Sequence, residues 1–151
     1  MITISDILRP EHVLLDLTPG TSSDPVWDVA MLLKNDDRVQ NWSRFYEGLK
    51  TSTIKAGDGV EICIPHARTK SVGSMVMGAG RATGAGQPSG SPEITRYIFV
   101  IGIPLALASD YLRIIGSLAR IFKSPETEGS LRAASTPAQF IAFLSGKEMQ
   151  L

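Results

Sequence analysis

Residues 97–103 constrain the fold more than any other stretch of the chain. They read Y-I-F-V-I-G-I and are almost wholly β-branched or aromatic, which favours extended backbone. An apolar run of this kind is typical of a strand at the centre of a sheet that is covered on both faces. The sequence therefore predicts a sheet with a packed layer on each side.

Other apolar stretches are predicted to extend this sheet or to cover it. Strands are predicted at residues 12–17, 60–64 and 75–80. Apolar residues at helical spacing predict helices at about residues 24–35, 39–50, 109–122, 127–134 and 136–145, with Asp24, Ser109 and Thr136 as N-caps. This alternation indicates an α/β fold, a single-domain layered sandwich over residues 1–151, with a mixed central sheet flanked by helices on both faces.

Three polar segments are predicted to lack regular structure. Residues 18–23 have turn composition, residues 51–59 form a polar loop, and residues 81–92 form a loop rich in Gly, Ser and Pro. The last loop is too short to separate two cores.

Composition excludes several classes of protein. An apolar fraction of 43% and a charged fraction of 20% are typical of a globular protein. Fifteen basic residues balance fifteen acidic ones. The chain therefore lacks the excess of basic residues that is typical of nucleic-acid-binding proteins. No run is long enough for a membrane span, and residues 1–8 do not resemble a secretory signal. With a single cysteine, the expected location is the cytoplasm.

The stretch at residues 60–68, V-E-I-C-I-P-H-A-R, contains the main candidate for chemistry. Pro65 is predicted to end the strand, because proline lacks the N–H that a sheet ladder uses. His66 then lies where the strand meets a loop, followed by Arg68 and Lys70. The residues alone leave two interpretations open. His66 is either a neutral imidazole nucleophile with cations nearby or a loop histidine with local hydrogen bonds only.

Other candidate chemistries have less support. Cys63 is expected to be a buried, inert thiol, and His12 to be structural or on the surface. Two distant histidines and one cysteine do not supply a zinc site, and the serine-hydrolase motif G-x-S-x-G is absent. The glycines at residues 78–84 have the wrong spacing for a dinucleotide-binding loop and indicate a strand end and turn.

The motif I-P-H-A-R, after a strand and a loop that contains Gly57 and Gly59, resembles a known phosphorylation site. It is similar to that of enzyme IIA domains of the bacterial phosphotransferase system, in the fructose/mannitol and nitrogen-regulatory class. Residues 4–8, 97–103 and 111–120 also resemble segments of that family. The resemblance therefore covers nearly the whole chain.

The resemblance implies a phosphocarrier with His66 as the phosphoryl acceptor. His66 would take the group on Nε2 from the phosphocarrier HPr or a relative, with Nδ1–H held by a backbone carbonyl. The group would pass to a cysteine of a IIB domain in sugar transport, or the phosphorylated state would regulate other proteins. Arg68, Lys50 and Tyr111 are the expected helpers, and no cofactor or metal is implied.

Three positions depart from the family's pattern. Tyr111 stands in place of a second histidine, and a phenol donates a hydrogen bond without a positive charge. Lys50, with the threonine that follows it, replaces an Arg-Glu pair, which keeps the charge but loses the bidentate fork. Glu61 falls within the segment that replaces Gly-Asn-Gly and is expected to bring a carboxylate near the phosphoryl group.

These departures keep a second hypothesis open. The chain would then be a regulatory protein-binding module on the same fold, and His66 would not be phosphorylated. Protein partners are expected in both cases: an HPr-like carrier, a IIB domain or a regulatory target. Neither hypothesis expects nucleic-acid binding or membrane insertion.

Overall fold

The computed structural model describes residues 1–17, 24–56, 59–82 and 94–150. Within these ranges five strands form one sheet in the order β1-β4-β5-β3-β2. Their bounds are Leu8–Leu17 (β1), Lys50–Lys55 (β2), Val60–Arg68 (β3), Val76–Ala82 (β4) and Thr95–Ile103 (β5). The β1–β4 and β3–β5 pairs are parallel, whereas β2–β3 and β4–β5 are antiparallel. The predicted mixed sheet with residues 97–103 at its centre is therefore confirmed.

Helices cover both faces of the sheet. Their bounds are Ile4–Ile7 (α1), Pro25–Met31 (α2), Trp42–Glu47 (α3), Ala108–Ile121 (α4), Pro125–Ala133 (α5) and Pro137–Glu148 (α6), with a short 3₁₀ turn at Leu105–Leu107. Alternate residues of β5 face opposite sides: Tyr97 and Phe99 pack with α4, α5 and α6, whereas Ile98 and Val100 pack with α2 and α3. This arrangement is the predicted layered α/β sandwich.

Two of the predicted N-caps are present. The Asp24 side chain accepts hydrogen bonds from the backbone of Val26 and Trp27 at the start of α2. The Thr136 side chain accepts one from Gln139 at the start of α6. None of the helices within the described ranges is both long and apolar enough to cross a membrane.

The prediction that Pro65 ends its strand is wrong, since β3 continues to Arg68. Its pairing with β5 passes from Cys63 to His66, so the ladder skips Ile64 and Pro65, of which Pro65 lacks an N–H. On the other side, Pro65 still pairs with Thr51 of β2. This local interruption leaves the strand extended, which places His66 inside β3, two residues before its end.

The predicted loop at residues 51–59 is also wrong over most of its length, because Lys50–Lys55 forms β2. β2 is an edge strand, and all its side chains except that of Ile54 are exposed. Its sequence therefore lacks the apolar alternation that reveals a strand. In the other predicted loop, Arg81 and Ala82 belong to β4. Residues 83–92 of that loop and the predicted turn at residues 18–23 lie outside the described residues.

Several helix details differ from the prediction. α4 begins at Ala108 after Leu107, which provides no side-chain cap, so Ser109 is not its N-cap. Leu112 is exposed, and the buried row is Ile114, Ser117, Leu118 and Ile121. Apolar residues lie along two sides of α4, so the spacing of apolar residues in the sequence does not indicate which side is buried. α2 and α3 are shorter than predicted, and α6 runs past Gly146 to Glu148.

Candidate functional site

His66 lies near the end of β3 on the face of the sheet that α4 covers. Ile62 and Ile64 of the same strand pack into the core on this face, and residues two apart on a strand share a face. The neighbours of His66 across the sheet are Lys50 on β2 and Ile101 on β5. Its side chain is half-buried.

A backbone hydrogen bond fixes the orientation of the His66 ring. Nδ1 lies 2.8 Å from the carbonyl oxygen of Ile64. Because a carbonyl only accepts, Nδ1–H is the donor, and in the neutral ring the lone pair is then on Nε2. The arrangement therefore directs the nucleophilic nitrogen away from the strand backbone.

Tyr111, in the first turn of α4, packs against this imidazole. The two ring centroids are 5.1 Å apart with an interplanar angle of 31°. Burial raises the pKa of the Tyr111 phenol to about 12. At neutral pH the hydroxyl is therefore protonated and available as a hydrogen-bond donor beside the imidazole.

Two cations share this end of β3. Lys50 is directly opposite His66 in the antiparallel β2–β3 pair, so the two side chains project from the same face. Arg68, two residues beyond His66 on the same strand, also shares that face. Both side chains are exposed, and among the described residues neither forms an ion pair with a carboxylate. The structure thus brings together all four predicted site residues with an uncompensated positive charge around the imidazole.

Glu61 does not lie near His66, contrary to the prediction. Its carboxylate accepts a hydrogen bond from Arg96 Nε at 3.0 Å and one from the Cys63 thiol at 3.5 Å. Cys63 packs on the α2–α3 face of the sheet, and Glu61 shares that face. Five residues of extended chain also separate Glu61 from His66 by about 16 Å. The carboxylate therefore does not oppose an anion at the imidazole.

The other two candidates do not join this site. Cys63 is half-buried, and burial, with Glu61 as a further cause, raises the pKa of its thiol, which fits the predicted inert cysteine. His12 is buried on β1, with Nδ1 3.6 Å from Asp36 Oδ2. No group of three or more potential metal ligands occurs in the part of the chain that the structure describes.

The sequence interpretation missed two exposed apolar residues, one on the 3₁₀ turn that follows β5 and one on α4. Leu105 on the 3₁₀ turn and Leu112 beside Tyr111 are 45% and 66% exposed. Leu112 directly follows Tyr111 in α4, so an exposed apolar side chain lies in the same helical turn as the residue that packs against His66. Nothing in the sequence distinguished them from core residues, since both occur among other apolar residues.

Comparisons with known proteins identify the family to which this chain belongs. The family model described as "Phosphoenolpyruvate-dependent sugar phosphotransferase system, EIIA 2" matches residues 6–147. No curated protein sequence matches the chain.

Several solved structures share the fold, and two of them are compared with this chain. The crystal structure of nitrogen regulatory protein IIA-Ntr from Neisseria meningitidis matches with a TM-score of 0.65 and 22% identity, covering 93% of this chain and 98% of that one. The solution structure of the mannitol-specific cryptic phosphotransferase enzyme IIA CmtB from Escherichia coli matches with a TM-score of 0.59 and 17% identity, covering 94% and 97%. A family match over residues 6–147, on this fold, establishes that the chain belongs to the EIIA 2 family of the phosphoenolpyruvate-dependent sugar phosphotransferase system.

Proposed function

We propose that the protein is a phosphocarrier whose His66 accepts a phosphoryl group on Nε2 from an HPr-like protein. The hydrogen bond from Nδ1–H to the carbonyl of Ile64 is the observation that supports this most directly. It holds the proton on Nδ1, so that the lone pair of Nε2 is available for attack. As the bond between Nε2 and phosphorus forms, the bond to the carrier breaks, and its electron pair returns to the carrier's leaving atom.

The surroundings of His66 supply what phosphoryl transfer needs. The reaction depends mainly on positioning and on stabilisation of charge over the phosphoryl oxygens. Lys50 offers that charge from the neighbouring strand β2 and Arg68 offers it from further along β3, while the Tyr111 hydroxyl is a neutral donor beside the imidazole. No metal ion or cofactor is part of this proposal.

The same site would then release the phosphoryl group to a second protein. The acceptor is either the cysteine of a IIB domain, in sugar transport, or a regulatory target that responds to the phosphorylated state. Leu105 and Leu112 are exposed apolar side chains on the segment that also carries Tyr111. Such side chains suit contacts with successive transient protein partners. We place the protein in the cytoplasm, where such partners would be found.

The test is incubation with phosphoenolpyruvate, HPr and the enzyme that phosphorylates HPr, followed by intact-mass measurement. The wild type should gain the mass of one phosphoryl group, and His66→Ala should gain none. His12→Gln, which alters the chain's other histidine, should react like the wild type. The adduct should also be lost in acid, because phosphorus–nitrogen bonds of phosphohistidine hydrolyse there.

A regulatory binding module without phosphotransfer is the second candidate function. The observation that favours it is Tyr111, which lies against His66 where the family has a second histidine. This reading predicts that no phosphorylated carrier changes the mass of the wild-type protein. A phosphoryl adduct that persists in His66→Ala would contradict both candidates, because the acceptor would lie elsewhere.

A further inference from the structure

A second cavity, outside the His66 site, lies between α4, the end of α6 and the first residues of the chain. Its volume is about 480 Å³, within the range of about 300–1,000 Å³ typical of small-molecule clefts. The residues that line it and bear on its chemistry are Ile2, Arg113, Ser117, Arg120, Glu148 and Met149.

One wall of the cavity is a polar row along α4. Arg113, Ser117 and Arg120 are spaced at i, i+4 and i+7, so they lie along one side of the helix. The two arginines are separated by about 10 Å along the helix axis. The wall therefore presents a guanidinium near each end and a hydroxyl between them.

The charged groups that line the cavity differ in whether they already form hydrogen bonds or ion pairs with other residues. Arg113 Nη2 donates to Asp110 Oδ1 at 3.0 Å and to the carbonyl of Ile2 at 3.5 Å. Glu148 accepts from the backbone N–H of Ile4, with its two oxygens at 2.9 and 3.2 Å. Arg120, by contrast, forms no ion pair within the described residues. The Arg120 guanidinium is therefore a positive group that is available to a ligand.

Glu148 forms no ion pair with Arg120 among the described residues, and its carboxylate oxygens accept from the Ile4 backbone N–H instead. Burial raises the pKa of the Glu148 carboxyl group, although the hydrogen bond from Ile4 and the charge of Arg113 act in the opposite direction. Ile2 and Met149, which also line the cavity, offer apolar surface. The cavity thus combines an available cation with a hydrophobic lining.

We propose that this cavity binds a small organic carboxylate with an apolar body. The carboxylate pairs with the Arg120 guanidinium, whose planar fork fits two carboxylate oxygens. The apolar body lies against Ile2 and Met149. This site is separate from the four residues around His66, and its test does not depend on phosphotransfer.

The probe for the test is phenylacetate, with phenylacetamide as the uncharged analogue of the same shape. Titration into ¹⁵N-labelled full-length protein, followed by ¹H–¹⁵N NMR, should give saturable shifts at the amides of Thr3, Ser117 and Met149. Phenylacetate should bind about tenfold or more tightly than phenylacetamide, as expected for a charge-assisted pair. Arg120→Gln should remove this difference.

Arg44→Gln is the matched control, since Arg44 is an exposed arginine on α3, across the sheet. It should leave the affinity for phenylacetate unchanged. Spectra of the unliganded variants should match the wild type away from the substituted residue, which separates lost binding from lost fold. Shifts that are scattered and do not saturate, or equal affinity of the two probes, would overturn the proposal. So would full phenylacetate affinity in Arg120→Gln.

Discussion

Lys50 lies directly opposite His66 in the β2–β3 strand pair. The residues are 16 positions apart in sequence, and the pairing of an edge strand with its neighbour is what brings them together. Register errors in a strand pair move a side chain to the other face. The position of the positive charge at the imidazole therefore depends on the register of a strand whose own side chains are almost all exposed.

Replacing Lys50 by Gln should slow phosphorylation of His66 by about two- to fivefold, because one exposed cation contributes up to about 1 kcal/mol. The effect should weaken at high salt, which screens exposed charges. The rate is obtained by stopping the reaction at a series of times and measuring the phosphorylated fraction by intact mass. Lys55→Gln is the control, since Lys55 is on the same strand but opposite Glu61. Equal rates for the two variants would contradict a role for Lys50.

Replacing Tyr111 by Phe should slow phosphorylation by about two- to tenfold, the range for one lost hydrogen bond. The phenylalanine ring keeps the packing against His66 and removes only the hydroxyl. Tyr46→Phe on α3 should react at the wild-type rate. Single-turnover kinetics with purified phosphorylated HPr measure the step. An unchanged rate for Tyr111→Phe would show that its hydroxyl does not contact the phosphoryl group during transfer.

Gly102 on β5 is packed closely by side chains that include Phe45 of α3. A Cβ there would lie 2.9 Å from Val76 Cγ1, 3.0 Å from Val72 Cγ2 and 3.1 Å from Phe45 Cε1. Since these neighbours are buried, we expect Gly102→Ala to lower the free energy of unfolding by about 1–3 kcal/mol. Urea denaturation followed by circular dichroism measures this change.

Gly146 provides the matched control for that substitution. It lies within α6, and nothing is within 4 Å of a Cβ built on it. Gly146→Ala should therefore raise the free energy of unfolding by up to about 1 kcal/mol, through helix propensity. Equal destabilisation by both substitutions would contradict the close packing assigned to Gly102.

His12 should make stability depend on pH in a defined window. Burial lowers the pKa of its imidazole, despite the attraction of Asp36. The unfolded chain, with an ordinary pKa of about 6.5, then takes up a proton that the folded state resists. The free energy of unfolding should therefore fall as the pH drops from about 7 towards 5. Denaturant titrations at a series of pH values give the slope.

His12→Gln should flatten the slope in that window and leave a second loss at lower pH. Hydrogen bonds and charge from Arg38 hold the pKa of the Asp36 carboxyl well below its usual range. The stability that this contributes is complete above the unfolded pKa, about 3.9, and is lost as the pH falls below it. If His12→Gln kept the wild-type slope between pH 7 and 5, another group would be responsible.

Much of the fold follows from local patterns in the sequence. The run at residues 97–103 correctly predicts the central strand because it is buried on both faces. Asp24 and Thr136 correctly predict helix starts because capping requires only neighbouring backbone. β2 leaves no such signal, since its side chains are exposed and its pairing is a tertiary property. The same reason explains why the sequence did not select which apolar row of α4 is buried.

Some features of the candidate site were likewise predictable from the sequence, whereas others required the structure. The motif around His66 identified the imidazole, and the family resemblance indicated Lys50, Arg68 and Tyr111 as its neighbours. The resemblance also implied a backbone carbonyl at Nδ1, but its identity as that of Ile64 and the exposure of Leu105 and Leu112 required coordinates. Glu61 was misplaced because spacing from a glycine loop does not specify which face a strand residue occupies, and its pairing with Arg96 joins two different strands.

The most direct test of the account is the identity of the nitrogen that carries phosphorus. NMR of protein labelled with ¹⁵N in its histidines, after phosphorylation by HPr, resolves the ³¹P–¹⁵N coupling at each ring nitrogen. The account predicts coupling to Nε2 of His66, with Nδ1 still bearing its proton toward Ile64. Coupling to Nδ1 of His66, or to His12, would contradict it.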